Sequence, residues 1–315
     1  MRAPVAVFAY NRADKLKECL RSLNDCDGAQ AADLYIFSDG PKGAEDIHGV
    51  SEVRGLLDDF SEKNNFKSVS VKKNDQNRGL ADSVISGVSE VIDAHGEVIV
   101  VEDDLTVTGD FLRYMNDVLD FYRDEERVWS VTGYSEPLRA LKHYKHDVFF
   151  GYRGCSYGWG TWKDRWDTVD WNVGRYSELL ESRRLQRQFN RGGNDMVRML
   201  KDQRSGLIDS WAIRWCFAQS LQNRYTVYPA KTLVINNGRD GSGTNQGRAD
   251  RVEYWLHDPK DSIKLEVLEP DLRISRSFYH YHSDTIKRIK RNLNIKGICR
   301  QLKRISGSLR HESIH

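Results

Sequence analysis

Disulfide chemistry is the first thing this sequence leaves out. Its five cysteines, Cys19, Cys26, Cys155, Cys216 and Cys299, are odd in number and scattered, with no Cys-x-x-Cys pair. That pattern suggests neither a disulfide framework nor a zinc site, and the expectation is reduced core or surface thiols. No apolar run approaches the length needed to span a bilayer. Met1-Arg2-Ala3-Pro4 leads straight into "VAVFAY", with neither an apolar leader core nor a small-residue cleavage site, so the expected location is the cytoplasm. Internal repeats and low-complexity linkers are also missing. With 39% hydrophobic residues over 315 positions, the chain has material for a real core rather than a disordered segment.

Net charge is nearly absent too, at +2, but this balance hides a division. From Asp284 to His315 nine Lys/Arg stand against two acids, about +7; the rest, 39 basic against 44 acidic, carries about −5. In the tail, Ile286, Ile289, Leu293, Ile298, Leu302, Ile305 and Leu309 recur at three- and four-residue steps with basic residues between them. This pattern predicts a basic amphipathic helix, bent at Gly297, lying peripherally on an anionic membrane face where each Lys/Arg contributes about 1 kcal/mol. Docking of the stripe on the body of the protein is the alternative. Nothing resembles a nucleic-acid-reading motif, and no nucleic-acid partner is expected.

What is present is alternation. "PVAVFAY", "DLYIFSD", "KSVSVKK", "EVIVVED" and "VWSVTG" read as strands, and helical periodicity fills the intervals between the first four and around Asp110 to Tyr122. The expected class is α/β, a mostly parallel Rossmann-like sheet with helices on both faces. Residues 1–135 form one half, 136–282 a second half of the same domain, and 283–315 the tail. In such sheets a ligand lies beyond the carboxyl ends of the strands. Asn11-Arg12, Ser38-Asp39-Gly40 and Glu102-Asp103-Asp104 each follow a strand, so all three are predicted to meet in one crevice.

Three consecutive carboxylates at the end of an apolar strand repel one another and lose hydration. A positive partner is expected there. Hard cations such as Mg2+ and Mn2+ prefer oxygen, and Mg2+ is often held by one or two carboxylates plus substrate phosphates. The plain alternative is a solvated acidic loop before a helix capped by Thr108 or Asp110.

The motifs "PVAVFAYNR", "FSDG", "VVEDDLTVTGDFLRYM", "YGWGTWKDRW" and "DSWAIRW", spread over about residues 4 to 245, together resemble the GT-A glycosyltransferases, which use nucleotide-sugar donors. They are similar to the bacterial family-2 enzymes. The "EDD" variant is closer to the eukaryotic N-acetylglucosaminyltransferase that begins complex N-glycans.

The resemblance implies a set of roles. Arg12 and Asp39 would contact the nucleotide, Asp39 by accepting hydrogen bonds from uracil or ribose, with Tyr10, Asn11, Arg78 and Gly79 completing the donor site. Glu102 and Asp103 would touch ribose and sugar. Asp104 would ligate Mn2+ or Mg2+ bridging the diphosphate, and Asp209 would be the catalytic base. Asp is also a favoured N-cap before "SWAIRWCFAQ", a reading compatible with catalysis. Arg239 in "NNGRDGSGTNQG" is assigned to phosphate, although the same stretch reads equally as a surface turn. Asn245 stands where related enzymes often carry a metal-binding histidine, which leaves the third protein ligand open.

The aromatic belt Tyr152, Tyr157, Trp159, Trp162 and Trp166 is divided between core and sugar stacking. Trp159, between two glycines, and Trp211 are the expected acceptor-site walls. The function implied is inverting, metal-dependent transfer of a hexose or N-acetylhexosamine from a UDP-sugar to an oligosaccharide or lipid-linked acceptor of a surface glycan: capsule, O-antigen or lipooligosaccharide. The rivals are a sugar-nucleotide nucleotidyltransferase, a metal-dependent nuclease and a non-catalytic sugar-binding domain of the same fold.

Overall fold

The apolar runs of the first half become strands whose alternate residues point to opposite faces. A computed structural model describes residues 2–238 and 254–282. It contains β1 (Val5–Ala9), α1 (Ala13–Asn24), β2 (Asp33–Ser38), α2 (Ile47–Glu62), β3 (Ser68–Lys73), α3 (Leu80–His95) and β4 (Glu97–Glu102). The short strand β5 (Leu105–Val107), α4 (Phe111–Tyr122), β6 (Val128–Thr132), β7 (Val148–Gly151), β8 (Trp159–Trp162) and the single turn α5 (Lys163–Trp166) follow. Then come α6 (Tyr176–Glu181), α7 (Arg183–Phe189), α8 (Met196–Arg204), α9 (Trp211–Leu221), β9 (Tyr225–Pro229), β10 (Val234–Asn236) and α10 (Leu272–Tyr281).

Eight strands form one sheet in the order β3-β2-β1-β4-β8-β6-β9-β7, while β5 and β10 pair separately. Strands β3, β2, β1 and β4 run parallel, β8 is antiparallel to both β4 and β6, β9 is parallel to β6, and β7 is antiparallel to β9. The sheet is therefore mixed but mostly parallel. Val5, Val7, Ile99 and Val101 face a core with α1 and α4, whereas Ala6, Phe8, Val98 and Val100 face one with α3 and α9. Burial on both faces is why β1 and β4 read as continuous apolar runs. β3, at the edge, is half-exposed, and its Lys72 and Lys73 pair with Glu90 and Asp58. Charged lysines on an edge discourage pairing with another chain.

Several elements depart from their sequence patterns. The helical periodicity of Ser177 to Asn190 is interrupted at Ser182, whose hydroxyl accepts from the Leu185 amide at 3.3 Å and so starts α7. The strand-like stretch "YTVYPAKTLVIN" divides into β9 and β10, which belong to different sheets. Of the aromatic belt, Trp159 and Trp162 lie in β8, a strand inside the sheet, and Trp166 lies in α5. The tail from Asp284, with Arg239, Asp240 and Asn245, lies outside the described residues. Among those described, no helix is long and apolar enough to cross a membrane.

Helix α10 closes the far side of the domain. Ile274 and Phe278 are buried, and Phe278 packs edge-on against Tyr228. Just beyond, His282 Nε2 lies 3.2 Å from Glu136, beside the Arg153–Asp195 pair. Burial first, and then the Arg153 charge, lower the His282 pKa below its ordinary 6.5, against the pull of Glu136. The unfolded chain then takes up the proton first as pH falls, so this contribution to stability is complete above about pH 6.5 and is lost below it. The thermal midpoint of the wild type should fall between pH 7.5 and 5.5 by more than that of His282→Gln. Equal falls would show that the histidine contributes nothing to the dependence.

Candidate functional site

Strands β2, β1 and β4 are parallel neighbours, so the residues that follow them stand at one end of the sheet. At the end of β1, Tyr10 and Asn11 brace the segment that leads to α2. The Tyr10 hydroxyl accepts from the Lys42 amide at 3.1 Å, and the Asn11 amide group donates to Asp46 at 2.7 Å. Burial, reinforced by Asp46, pushes the Tyr10 phenol up to about 12. Arg12 follows at the start of α1 and turns toward β4.

Asp39, at the end of β2, is buried and engaged by backbone. Its carboxylate accepts from the amides of Gly40 and Arg78 at 3.0 Å and of Gly79 at 3.1 Å. Asp39 thereby fastens the loop that enters α3, and the Arg78 side chain projects from that loop, exposed. Gly79 has φ +81° and ψ 158°, a conformation open essentially to glycine alone.

Asp209 comes to the same glycine from the other half of the chain. Its Oδ2 accepts from the Ala81 amide at 3.3 Å, in the first turn of α3. The N-cap of α9 is Ser210, whose hydroxyl accepts from Ile213. Asp209 thus leaves its own helix to its neighbour and caps a different one. A helix N-terminus favours a carboxylate electrostatically, and Asp209 is otherwise exposed to solvent.

The acidic triplet stands at the end of β4. Asp103 and Asp104 are buried and Glu102 is partly so. Arg12 donates to Asp103, and its Nη1 lies 3.1 Å from Asp104 Oδ2. The positive partner that the sequence calls for is therefore, at least in part, a guanidinium of the chain itself. Burial raises Glu102 to about 8, helped by Asp104 and Asp103. Asp103 is raised to about 6 by burial, opposed chiefly by Arg12. Asp104 Oδ1 is buried without a hydrogen-bond partner among the described residues, which in a native structure calls for an explanation.

One flank of this loop was not legible in the sequence. β10 pairs antiparallel with β5, so Asn236 stands opposite Leu105, and the Asn237 amide donates to the Asp104 carbonyl at 2.8 Å. Gly238 lies so close that a side chain there would run into Asp104 Oδ2. The glycine of "NNG" was a signal of close approach, but without the β5–β10 pairing there was nothing to say what it approached.

Trp159 and Trp211 are not brought to the crevice, which corrects the acceptor-wall assignment. They are 0% and 2% exposed. Their rings stack at 5.0 Å within a cluster that also holds Trp129, Trp166, Trp171 and Trp215, six of the chain's eight tryptophans. The glycines beside Trp159 serve packing: a Cβ on Gly160 would stand 2.9 Å from the Val98 carbonyl of the adjacent strand.

No protein-family model matches the chain, and no curated protein sequence does. Among solved structures it is similar to S. aureus TarS 1-349, with 14% identity over 75% of this chain and 60% of that one and a TM-score of 0.43. The same fragment in complex with UDP-GlcNAc matches at 12% identity over 73% of this chain and 57% of that one, TM-score 0.40. The mannosyltransferase PcManGT from Pyrobaculum calidifontis in complex with GDP-Man and Mn2+ matches at 14% over 52% and 46%, TM-score 0.37. The chain thus spans 60% of the TarS fragment and less than half of the mannosyltransferase.

Proposed function

We propose that the protein is an inverting glycosyltransferase of the GT-A type, moving a sugar from a nucleoside diphosphate donor, a UDP-sugar, to a hydroxyl of a surface-glycan acceptor. The observations that carry the reading are a buried acidic loop at the end of β4, with a carboxylate oxygen unpartnered among the described residues, and an exposed carboxylate held at the N-terminus of α3. The motif resemblance runs through the same residues.

In this reading Asp209 takes the proton of the attacking hydroxyl. One of its oxygens is fixed by the Ala81 amide, and the carboxylate, being exposed, can still meet an acceptor from solvent. A single base opposite the leaving group implies inversion. Asp39 and Gly79 fix the loop that borders the nucleotide, and Arg12 supplies positive charge for the diphosphate.

Among the described residues no three His, Cys, Asp or Glu side chains form a complete metal cage. The buried Asp104 Oδ1 nevertheless fits a Mg2+ or Mn2+ that takes its other ligands from phosphate and water. A bound divalent cation supplies electrostatic stabilisation of the departing phosphate.

The test is a panel of nucleotide sugars offered to the full chain with Mn2+. A UDP-sugar should raise the melting temperature, since a ligand at 100 times its Kd stabilises by about 2.7 kcal/mol, and should be slowly hydrolysed until chelator is added. A panel with neither effect removes the reading. Diphosphate release from a nucleoside triphosphate and a sugar phosphate would point to a nucleotidyltransferase instead.

A further inference from the structure

We infer that Arg12 is the internal counter-ion that a divalent cation must displace, so that metal binds appreciably only together with a diphosphate able to receive the arginine. The inference rests on the proposed metal and donor site.

Arg12 bridges two carboxylates. Its side chain is 22% exposed, and those of Asp103 and Asp104 are 5% and 11% exposed. The two contacts are unequal. Toward Asp103 Arg12 makes a hydrogen bond; toward Asp104 its Nη1 is close but not aligned as one. Asp104 is therefore the carboxylate with demand left over, and its Oδ1 has no hydrogen-bond partner among the described residues.

A cation on Oδ1 would share one carboxylate with the guanidinium on Oδ2. Two like charges within a few ångströms, in a site poor in water, repel strongly. Removing Arg12 alone would instead leave buried carboxylates uncompensated, which is unfavourable as well. A nucleoside diphosphate resolves the conflict. It brings negative charge that can take Arg12, it adds oxygen ligands for the cation, and Asp104 exchanges one positive partner for another. Coupling of this kind is reciprocal: nucleotide tightens metal by the same factor as metal tightens nucleotide.

The experiment titrates Mn2+ into the full chain, following the free-ion signal by electron paramagnetic resonance, with and without UDP. Wild type should bind Mn2+ at least tenfold more tightly when UDP is present. Arg12→Gln should bind Mn2+ at least tenfold more tightly than wild type in the absence of UDP, and should gain less from adding it. Arg12→Lys keeps the charge but cannot bridge both carboxylates, so it should fall between the two; it decides the matter if Arg12→Gln does not fold. Equal or weaker Mn2+ binding by the folded variants without UDP overturns the inference and leaves the site standing. So does wild-type affinity that UDP does not change. If wild type binds no Mn2+ under either condition, the metal site fails and the inference with it.

Discussion

Asp104→Ala is expected to lose sugar transfer by about 10³-fold or more, the scale set by removing a principal electrostatic stabiliser of the leaving group. Nucleotide affinity should fall with it, and only while Mn2+ is present. The fold should survive, because the structural contact at this position is made by backbone: the Asp104 carbonyl accepts from Asn237, and alanine keeps it. Arg12 also retains its hydrogen-bonded partner Asp103. Transfer rates with and without chelator, alongside a thermal unfolding curve, check each part. Near-normal, chelator-insensitive activity would remove the metal assignment from this residue.

Asp209→Asn separates chemistry from architecture. Asparagine still offers an oxygen to the Ala81 amide, so the start of α3 and the Gly79 loop should be undisturbed. It cannot take a proton at neutral pH. Turnover is therefore expected to fall by about 10²-fold or more with donor affinity unchanged. Asp209→Ala, which also removes the cap, should additionally lower stability by about 1 kcal/mol. If Asp209→Asn turns over at the wild-type rate, the base lies elsewhere. Asp195 is then a poor replacement, since it is buried in a two-armed pair with Arg153, and Asp240 becomes the residue to test.

The parts of this fold that were legible in the sequence are those whose signal is local. Strands β1, β2 and β4 announce themselves because both of their faces are buried, and α1, α3 and α4 because only one of theirs is. Strand β8 gave no such signal. Four residues, "WGTW", become a strand because β4 and β6 leave a gap of that width, and Gly160 is small enough to pass under the Val98 carbonyl. Its glycines were read as signs of an exposed tryptophan, when they are what allows that tryptophan to be enclosed.

The site divides in the same way. That Asp39, Asp104 and Asp209 deserved notice could be read from motifs. What each one holds could not, because the partners are remote: Arg78 and Gly79 for Asp39, Ala81 for Asp209, and Arg12 for the acidic loop 91 positions away. Even the capping of α9, read from the sequence as a place for Asp209, is made by Ser210, while Asp209 accepts from Ala81 in α3.

Gly79 ties the history of two residues together. Asp39, from near the start of the chain, holds its amide, and a Cβ placed on it would stand 3.3 Å from Asp209 Oδ2, from far along the chain. Any substitution that re-aims the loop from the β2 side also shifts the surface against which Asp209 rests. Under the donor and base roles proposed above, a change around Asp39 is expected to alter turnover as well as donor binding, and compensating changes should be sought near residue 209.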